Sequence, residues 1–359
     1  MKKIAFTTGG TGGHIYPALS LANEMRKRGY EVIFIGTCHR MEKEIVPKAG
    51  YKFYGLDILP FNSIKSVLKG VKAVFEIKKI LKQENVDTLI GFGNYISIPS
   101  ITAAKLLKIN IYLQEQNIVM GKANKYGMFF AKKVFLAFGN SLDLIKRFKS
   151  KCVVTGNPLR HEFYNITKED ARNILSIPNE NRVILVMGGS LGAKSINEAI
   201  LSNIDKINEK EHFTLYWSTG EKLYKEVQVR IKNFNNIIVM PYFENVYEIM
   251  AASDLVICRS GASTISELLQ LEKPSILIPY DYVGQKENAE MLEYVDAAKA
   301  YTNESAKSAI LEALSLCEQD SMLNFMRENI KTLNTGNAVN NILKEMEDDN
   351  KWEEYILVG

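Results

Sequence analysis

Short apolar runs alternate with longer stretches of helical periodicity along almost the whole chain. Several runs are continuously apolar, as parallel strands covered on both faces are. The predicted strands are residues 4–8, 31–36, 87–92, 109–114 and 152–156 in the first half, and 183–188, 213–218, 236–241, 254–259 and 275–279 in the second. Apolar residues at helical spacing fill the intervals, for example over 15–28, 64–84, 194–206 and 285–294.

This alternation predicts an α/β protein with doubly wound parallel sheets. A strand, a glycine-rich loop and a helix open each half, with GGTGGH at 9–14 and GGSLGA at 188–193. We therefore expect two Rossmann-like domains that face a cleft, spanning residues 1–157 and 158–334. The helical tail 335–359 is expected to pack back on the first domain.

Composition is that of a globular protein, with 46% apolar and 24% charged residues in 359. No apolar run reaches the roughly 18 residues of a membrane span. The first residues do not have the pattern of a signal peptide, so we expect a cytoplasmic protein. The four cysteines have neither zinc-site nor disulfide spacing.

Charge is divided unevenly along the chain. Residues 1–160 contain 26 Lys/Arg and 10 Asp/Glu, a net +16, whereas residues 161–359 contain 19 and 31, a net −12. Chance clustering of solvated side chains is one interpretation. The other is a basic surface that meets membrane lipid, a diphosphate or nucleic acid.

The two glycine loops are candidate anion-binding sites. Glycines between a strand and a helix let backbone amides approach a phosphate, and the helix start adds its positive dipole end. In GGSLGA, Ser190 adds a hydroxyl donor. A tight turn is the structural alternative. GGTGGH lacks the GxGxxG spacing and no GK[ST] follows it, which argues against NAD binding and a P-loop.

His14 is the leading candidate for a general base. It follows the GGTGG glycines at a predicted helix start, where the positive end of the helix dipole disfavours the imidazolium and so suits a neutral base. Thr11 lies nearby. A lone histidine is more often structural, and that interpretation stays open.

CRSGASTISELL at 258–269 leads from a strand into a helix. One interpretation is a capping box, with Ser263 or Thr264 as the cap and Glu267 as its partner. The other is a carboxylate at Glu267 that accepts both hydroxyls of a ribose.

Other polar residues stand at predicted strand ends and helix starts. Gln285 and Asn288 share one helical face, where amides suit sugar hydroxyls. Arg160 follows Asn157-Pro158 at the predicted domain join and suits a phosphate. QEQN at 114–117 ends a strand, the edge at which ligands bind in open α/β sheets. We find no DxD pair, so a metal-bridged sugar nucleotide is not expected.

Residues 61–83 form a basic amphipathic stretch, in which lysines alternate with apolar residues. Such a helix usually packs its apolar face on the core and leaves its lysines in water. Contact with a membrane surface is the alternative.

In order and context these stretches resemble the MurG-type enzymes of glycosyltransferase family 28. The matching motifs are GGTGGHxxP at 9–17, GFGNYISIP at 91–99, QEQN at 114–117, GNPLR at 156–160, GGSLGA at 188–193 and CRSGASTISE at 258–267. The resemblance covers nearly the whole chain and implies the GT-B fold. It also implies inverting transfer of GlcNAc from UDP-GlcNAc to the 4-hydroxyl of lipid I, giving lipid II for peptidoglycan.

By position, the resemblance assigns contacts with UDP-GlcNAc to Thr11, Gly12, Gly13, Asn117, Arg160, Ser190, Phe243, Ala262, Ser263, Thr264, Ile265, Ser266, Glu267, Gln285 and Asn288. His14 is the expected base, and Glu115 is a second catalytic candidate. No cofactor, essential metal or nucleic acid is expected. The basic first half would dock on the anionic inner membrane, at its cytoplasmic face.

Four residues depart from the family pattern: Asn94 for glycine, Gln114 for histidine, Leu191 for a frequent glutamine, and Gly284 for a frequent histidine. They bear on acceptor contacts and donor-sugar preference. Three alternatives stay open: another lipid-acceptor GT-B transferase, a UDP-GlcNAc 2-epimerase-like enzyme, and a non-catalytic UDP-sugar-binding membrane protein. The epimerase would turn over UDP-GlcNAc alone, and the binding protein would transfer nothing.

Overall fold

The computed structural model describes residues 2–189, 191–231, 234–280 and 284–358, with side chains up to residue 349. The chain forms two compact units. Unit 1 comprises Met1–Arg160 and Thr335–Gly359, and unit 2 comprises His161–Asn334.

Unit 1 is built on parallel strands joined by helices. Its strands are β1 (Lys3–Thr7), β2 (Glu31–Thr37), β3 (Lys52–Leu56), β4 (Thr88–Gly91), β5 (Asn110–Glu115), β6 (Lys133–Leu136) and β7 (Cys152–Val154). Its helices are α1 (Gly12–Lys27), α2 (Glu42–Lys48), α3 (Ile64–Gln83), α4 (Ser97–Leu106), α5 (Lys122–Gly127), α6 (Ser141–Leu144) and α16 (Ala338–Val358), with a 3-10 turn at Lys149–Lys151.

The sheet of unit 1 has the order β3-β2-β1-β4-β5-β6-β7, with every pair parallel. Alternate side chains of each strand enter two cores. In β1, for example, Ile4 and Phe6 pack towards α1 and α16, whereas Ala5 packs towards α3 and α4. Both faces are therefore covered, which explains the continuous apolar runs.

The chain returns to unit 1 through α16. Val339, Ile342, Leu343 and Met346 are buried in the same core as Phe6, beside the strands and α1. Residues far apart in sequence thus complete one face of the sheet.

The opposite face of unit 1 has an exposed apolar surface. Along α3 the buried stripe consists of Gly70, Ala73, Ile77 and Leu81. The exposed apolar residues of this helix are Ile64, Val67, Leu68, Val71 and Phe75. The core therefore does not account for the apolar residues that alternate with the lysines.

Unit 2 repeats the design. Its strands are β8 (Arg182–Met187), β9 (Phe213–Ser218), β10 (Ile237–Met240), β11 (Leu255–Cys258), β12 (Ser275–Leu277) and β13 (Ala298–Ala300), in the order β10-β9-β8-β11-β12-β13 and parallel throughout. Its helices are α7 (Lys168–Ile174), α8 (Lys194–Ser202), α9 (Ile204–Asn208), α10 (Tyr224–Arg230), α11 (Val246–Ala252), α12 (Ala262–Gln270), α13 (Gln285–Tyr294), α14 (Ala306–Leu316) and α15 (Asp320–Lys331), with a 3-10 turn at His161–Tyr164.

A buried charge cluster lies at the amino edge of the unit 2 sheet. Asp254, 2% exposed, pairs with Lys168 and with Arg172 (2.9 Å) and accepts from the backbone N–H of Val183 (2.8 Å). Lys273 lies nearby and donates to the carbonyl oxygens of Ala251 and Ser253. Burial, reinforced by the nearby Lys168, lowers the pKa of Lys273 to about 7.

The structure confirms the predicted fold class, and each predicted strand overlaps an observed one. Three observed strands were not predicted, namely β3, β6 and β13, and each of these short segments contains a lysine. The helix predicted over 194–206 is wrong as a single element. It breaks at Asn203, which separates α8 from α9 and whose side chain donates to the carbonyl oxygens of Ala199 and Lys307.

Candidate active site

In unit 1 the strand order reverses between β1 and β4, so the loops that follow them diverge at one carboxyl edge. Ligands of open α/β sheets bind at such a switch point. The GGTGGH loop follows β1, and the GFGNY loop follows β4. The candidate residues of unit 1 therefore belong to one edge.

The GGTGGH loop ends in the first turn of α1. Thr11 is the N-cap, and Gly12, Gly13 and His14 are the first three helical residues. The backbone N–H groups of Gly12 and Gly13 precede the helical hydrogen-bond ladder and can bind an anion, whereas the N–H of His14 already donates to the carbonyl oxygen of Thr11 (3.1 Å).

His14 is half-buried, and its Nδ1 lies 2.8 Å from Oε1 of Gln116. Gln116 Nε2 donates to the carbonyl oxygen of Phe92 (3.1 Å), which leaves Oε1 as the acceptor. The proton therefore resides on Nδ1 of His14, and Nε2 presents its lone pair. Sequence reasoning missed Gln116, although it lies within the QEQN motif.

Two further amides extend this contact into the core. Gln116 Nε2 also donates to Oε1 of Gln114, and Gln114 Nε2 donates to Oδ1 of Asn157 (3.2 Å). Each amide thus donates to the next, which sets the orientation of all three. Gln114, the departure from the family histidine, keeps this amide relay neutral.

Glu115, our second catalytic candidate, bonds to the loop that follows its own strand, and its catalytic role stays a prediction. It is 2% exposed, and its oxygens accept from the N–H groups of Asn117 (3.1 Å) and Gly121 (2.9 Å) and from Asn124 Nδ2 (2.9 Å). These bonds stabilise the loop after β5. They also hold Asn117, which is half-buried, directly beyond Gln116.

Glu42 is a second residue that sequence reasoning missed. It is fully buried, and its Oε1 accepts from the N–H (3.0 Å) and hydroxyl (2.7 Å) of Thr37. The Glu42 Oε2 accepts from the N–H of Gly10 (3.0 Å), so this carboxylate fixes the position of the glycine loop. Its contacts span 32 residues, and no local motif marks it.

Asn94 compensates for the glycine it replaces. Its φ of +68° lies in the left-handed region that glycine favours and that asparagine tolerates. Its Nδ2 donates to the carbonyl oxygen of Gly9 (2.8 Å), tying the two glycine loops together. A Cβ at Gly10 would lie 2.2 Å from that nitrogen, which explains the glycine there.

In unit 2 the strand order reverses between β8 and β11, where the GGSLGA and CRSGAST loops begin. Ser190 lies outside the described residues. Gly192 has φ +76°, and a Cβ there would lie 2.1 Å from the carbonyl oxygen of Thr219. This loop therefore requires glycine, and it ends at the start of α8. Leu191 is exposed.

The capping-box interpretation of 258–269 is wrong. The N-cap of α12 is Gly261, one residue before Ala262, so Ser263 and Thr264 occupy the first turn instead. Within the part of the chain that the structure describes, the buried Ser263 hydroxyl has no hydrogen-bond partner. Such a group is available to a ligand. Glu267 is half-buried one turn further along.

Two predicted contacts in α12 face the protein. Ile265 is fully buried, and its N–H donates to the carbonyl oxygen of Gly261 (2.9 Å). Ser266 is 7% exposed and donates to the carbonyl oxygen of Ala262 (2.8 Å). Both bonds belong to the helix, and the candidate anion-binding turn is limited to residues 262–264.

Gln285 and Asn288 both contact the β11–α12 loop, in different ways. A Cβ at Gly261 would lie 3.9 Å from Gln285 Nε2, so this amide stands at the start of α12. Asn288 is fully buried, and its Nδ2 donates to the carbonyl oxygen of Ser260 (3.0 Å); its sugar contact stays a prediction. Gly284 adopts φ +71° as the N-cap of α13.

Arg259 ties the two loops of unit 2 together and was not singled out from sequence. It is 6% exposed and donates to the carbonyl oxygen of Ile278 (2.6 Å), to Asn303 Oδ1 (2.7 Å) and to Ser195 Oγ (2.9 Å). Its guanidinium also stacks over Tyr280 at 4.0 Å from the ring centroid. The start of α8 is thereby fixed to β11.

The remaining predicted contacts are Phe243 and Arg160. Phe243 follows β10 at the same carboxyl edge of unit 2, and its buried ring packs edge to face on Tyr216. Only its backbone can then face a ligand. Arg160 is the last residue of the first segment of unit 1 and is half-buried.

Among the residues that the structure describes, no three His, Cys, Asp or Glu side chains converge as a metal-binding group. Among the same residues, no helix combines the length and apolar character needed to cross a bilayer.

Comparison with known families matches both units. A model of the glycosyltransferase family 28 N-terminal domain matches residues 4–136. A model of the glycosyltransferase family 28 C-terminal domain matches residues 183–346. Together they span most of the chain.

Full-length relatives are similar as well. The UDP-N-acetylglucosamine–N-acetylmuramyl-(pentapeptide) pyrophosphoryl-undecaprenol N-acetylglucosamine transferase of Fusobacterium nucleatum subsp. nucleatum is 42% identical, over 97% of this chain and 98% of that protein. The transferase of the same name from Halothermothrix orenii is 33% identical, over 97% and 99%.

Two solved structures are similar in fold. Acinetobacter baumannii MurG superposes with a TM-score of 0.78 at 25% identity, covering 97% of this chain and 100% of that one. The UDP-GlcNAc 2-epimerase of Neisseria meningitidis, bound to UDP-GlcNAc, gives 0.69 at 18% identity, covering 96% and 100%. The second likeness shows the fold alone.

Proposed function

The chain belongs to glycosyltransferase family 28, and from this premise we propose that it transfers N-acetylglucosamine from UDP-GlcNAc to lipid I. Similarity over nearly the whole chain to relatives named for that reaction, at 42% and 33% identity, supports both substrates. The contact between His14 Nδ1 and Gln116 Oε1, at the switch point of unit 1, carries the mechanism.

In the proposed reaction His14 is the general base. The 4-hydroxyl oxygen of the muramyl sugar attacks the anomeric carbon of the donor as the bond to UDP breaks, which inverts that carbon. Because Gln116 holds the proton of His14 on Nδ1, the lone pair on Nε2 accepts the hydroxyl proton. The neutral relay of Gln114 and Asn157 keeps Gln116 in the accepting orientation.

Unit 2 is proposed to bind the donor. The first turns of α8 and α12 present backbone N–H groups to the diphosphate, and the Ser263 hydroxyl adds a donor. Glu267 would accept the ribose hydroxyls and Gln285 would contact the sugar. Arg160 would neutralise charge on the departing UDP, so the scheme needs no resident metal.

The exposed apolar side of unit 1 supports docking on a membrane. Val67, Leu68, Val71 and Phe75 of α3 are exposed beside lysines, which is the pattern of a helix that lies in an anionic interface. We propose peripheral binding at the cytoplasmic face, where the lipid acceptor would be reached.

Radiolabelled UDP-GlcNAc and a lipid I analogue test the proposal, with and without EDTA. The expected result is labelled lipid product at equal rates in both. Loss of the rate with EDTA would contradict the metal-free scheme. Consumption of UDP-GlcNAc without an acceptor would indicate an epimerase, and donor binding with no transfer to this or other lipid acceptors would indicate a binding protein.

A further inference from the structure

An apolar groove of about 250 Å³ lies beside the loop that follows β5 in unit 1. Its walls include Ile118, Met120, Met128, Phe129, Leu144 and Phe148. Phe129 and Phe148 pack edge to face with centroids 5.1 Å apart, so the groove is preformed. Phe129 and Leu144 are nevertheless 54% and 56% exposed, which leaves the walls open to a ligand.

Basic side chains line the same groove. Lys125, Lys146 and Arg147 all contribute to it, and the Arg147 guanidinium lies over the Phe129 and Phe148 rings at 5.9 and 5.6 Å. This combination fits a ligand that is anionic at one end and apolar along the rest.

The groove begins close along the chain to the proposed reaction centre. Ile118 follows Gln116, the partner of His14, by two residues, a span of at most about 7 Å. Ser141, which also lines the groove, donates to the carbonyl oxygen of Asn117 (3.4 Å). In the proposed acceptor a diphosphate joins the reacting sugar directly to the polyprenyl chain. With the hydroxyl at His14, the polyprenyl chain begins one sugar and one diphosphate away from this residue.

We propose that the groove binds the first isoprene units of the lipid acceptor, with its basic residues at the diphosphate. This inference rests on the proposed function and adds a subsite to it. The branched chain suits walls of phenylalanine, methionine and leucine, because unbranched methionine side chains adapt to irregular apolar shapes. Bound in this way, the chain would hold the acceptor sugar in register with His14.

The test uses two acceptors with the same muramyl-pentapeptide diphosphate, one with a short and one with a long isoprenoid chain, in detergent micelles. The measured quantity is the ratio of kcat/KM for the long chain to that for the short chain. In the double variant Phe129→Ser with Leu144→Ser we expect this ratio to fall about tenfold, because two large apolar contacts are lost.

A matched control variant tests whether the loss of exposed apolar side chains elsewhere on the protein has the same effect. Phe325→Ser with Ile174→Ser removes the same kinds of side chain at 51% and 59% exposure in unit 2, and its ratio should equal that of the wild type. Leu144→Trp, which fills the groove without removing apolar surface, should lower the ratio like the double variant.

An unchanged ratio in the groove variants, or an equal fall in the control, overturns the inference. A loss of affinity for anionic phospholipid vesicles with an unchanged ratio also overturns it and would assign the groove to membrane acyl chains. Absence of transfer to either acceptor in the wild type would instead contradict the proposed function itself.

Discussion

The two units share a topology but place their buried polar groups differently. At its functional edge, unit 1 places the neutral amide of Gln116 against His14. The buried carboxylates of this unit, Glu42 and Glu115, bond to backbone and loop groups instead. Unit 2 fixes its functional edge with the cationic Arg259 and buries Lys273 at the opposite edge. From this difference we expect the pH dependence of turnover to come from unit 1 and part of the pH dependence of stability from unit 2.

The largest expected effect is that of His14 on kcat, with the affinity for the donor nucleotide unchanged. His14→Ala should lower kcat by about 10²–10⁴-fold, the usual contribution of a general base, while the affinity for UDP stays that of the wild type. Single-turnover transfer and UDP titration measure the two quantities. His39→Ala, a histidine of the same unit that pairs with Asp57, is the control. Equal turnover in His14→Ala would remove this residue from the mechanism.

Lys273 should make unit 2 more stable as pH rises above neutrality. Its pKa is about 7 in the fold and ordinarily 10.5, so between these values only the unfolded chain binds the proton. The free energy of unfolding therefore gains up to about 1.4 kcal/mol per pH unit in this window from this group, and the buried charge costs most below pH 7.

Urea unfolding at pH 7 and pH 9.5 tests this. Lys273→Met should lose this gain in stability, whereas Lys286→Met, which removes an exposed lysine of the same unit, should keep it. Parallel pH dependence in both variants would contradict the assignment to Lys273.

Within the glycine loop of unit 2, we expect Gly192 to tolerate an added methyl group less well than Gly189. Gly192→Ala places a Cβ against the carbonyl of Thr219, whereas Gly189→Ala, with φ +83°, meets nothing within 4 Å in the described residues. Both substitutions lower the free energy of unfolding by about 1–2 kcal/mol, because alanine must adopt a left-handed φ. Only Gly192→Ala adds a backbone clash, of about 1–3 kcal/mol. Thermal unfolding should show this order, and equal Tm values would contradict the clash.

Gln116 is expected to affect turnover through its hydrogen bond to His14. Gln116→Leu should lower kcat about tenfold, because the His14 tautomer loses its hydrogen bond. In Gln116→Glu a carboxylate faces Nδ1 and stabilises the imidazolium, so the acidic limb of the kcat profile should move about one unit higher. If Gln116→Glu folds normally and the pH profile of its kcat equals that of the wild type, Gln116 contributes only packing.

The smallest expected effect concerns Asn94. Asn94→Gly loses the bond to the Gly9 carbonyl and the bond that the Asn94 Oδ1 accepts from the Tyr95 N–H, each about 1 kcal/mol, but glycine adopts the same φ without strain. Asn94→Ala loses the same bonds and keeps the strain, so its Tm should be the lower of the two. The reverse order would mean that the left-handed φ does not destabilise the alanine variant.

Features set by local sequence, such as strands and glycine loops, could be predicted, whereas contacts between residues far apart in the chain could not. Most strands were predictable because parallel strands covered on both faces are continuous apolar runs, while β3 and β13 are half-exposed edge strands and β6 has four residues. The glycine motifs located both switch points. Gln116 could not be found, because its contact with His14 joins residues 102 apart. Asn288 and Ile265 had the right position along the helix, but which face is buried depends on tertiary packing.

The return of α16 to unit 1 has a consequence for how the protein is made. Residues 1–160 leave the ribosome first, but the apolar face around Phe6, which α1 covers in part, is completed only when Val339–Met346 have been synthesised. At about 5–20 residues per second, roughly ten to forty seconds separate the two events, long enough for all of unit 2 to emerge. During that interval nascent unit 1 exposes core surface, which makes it a client for a chaperone while unit 2, contiguous in sequence, can already fold.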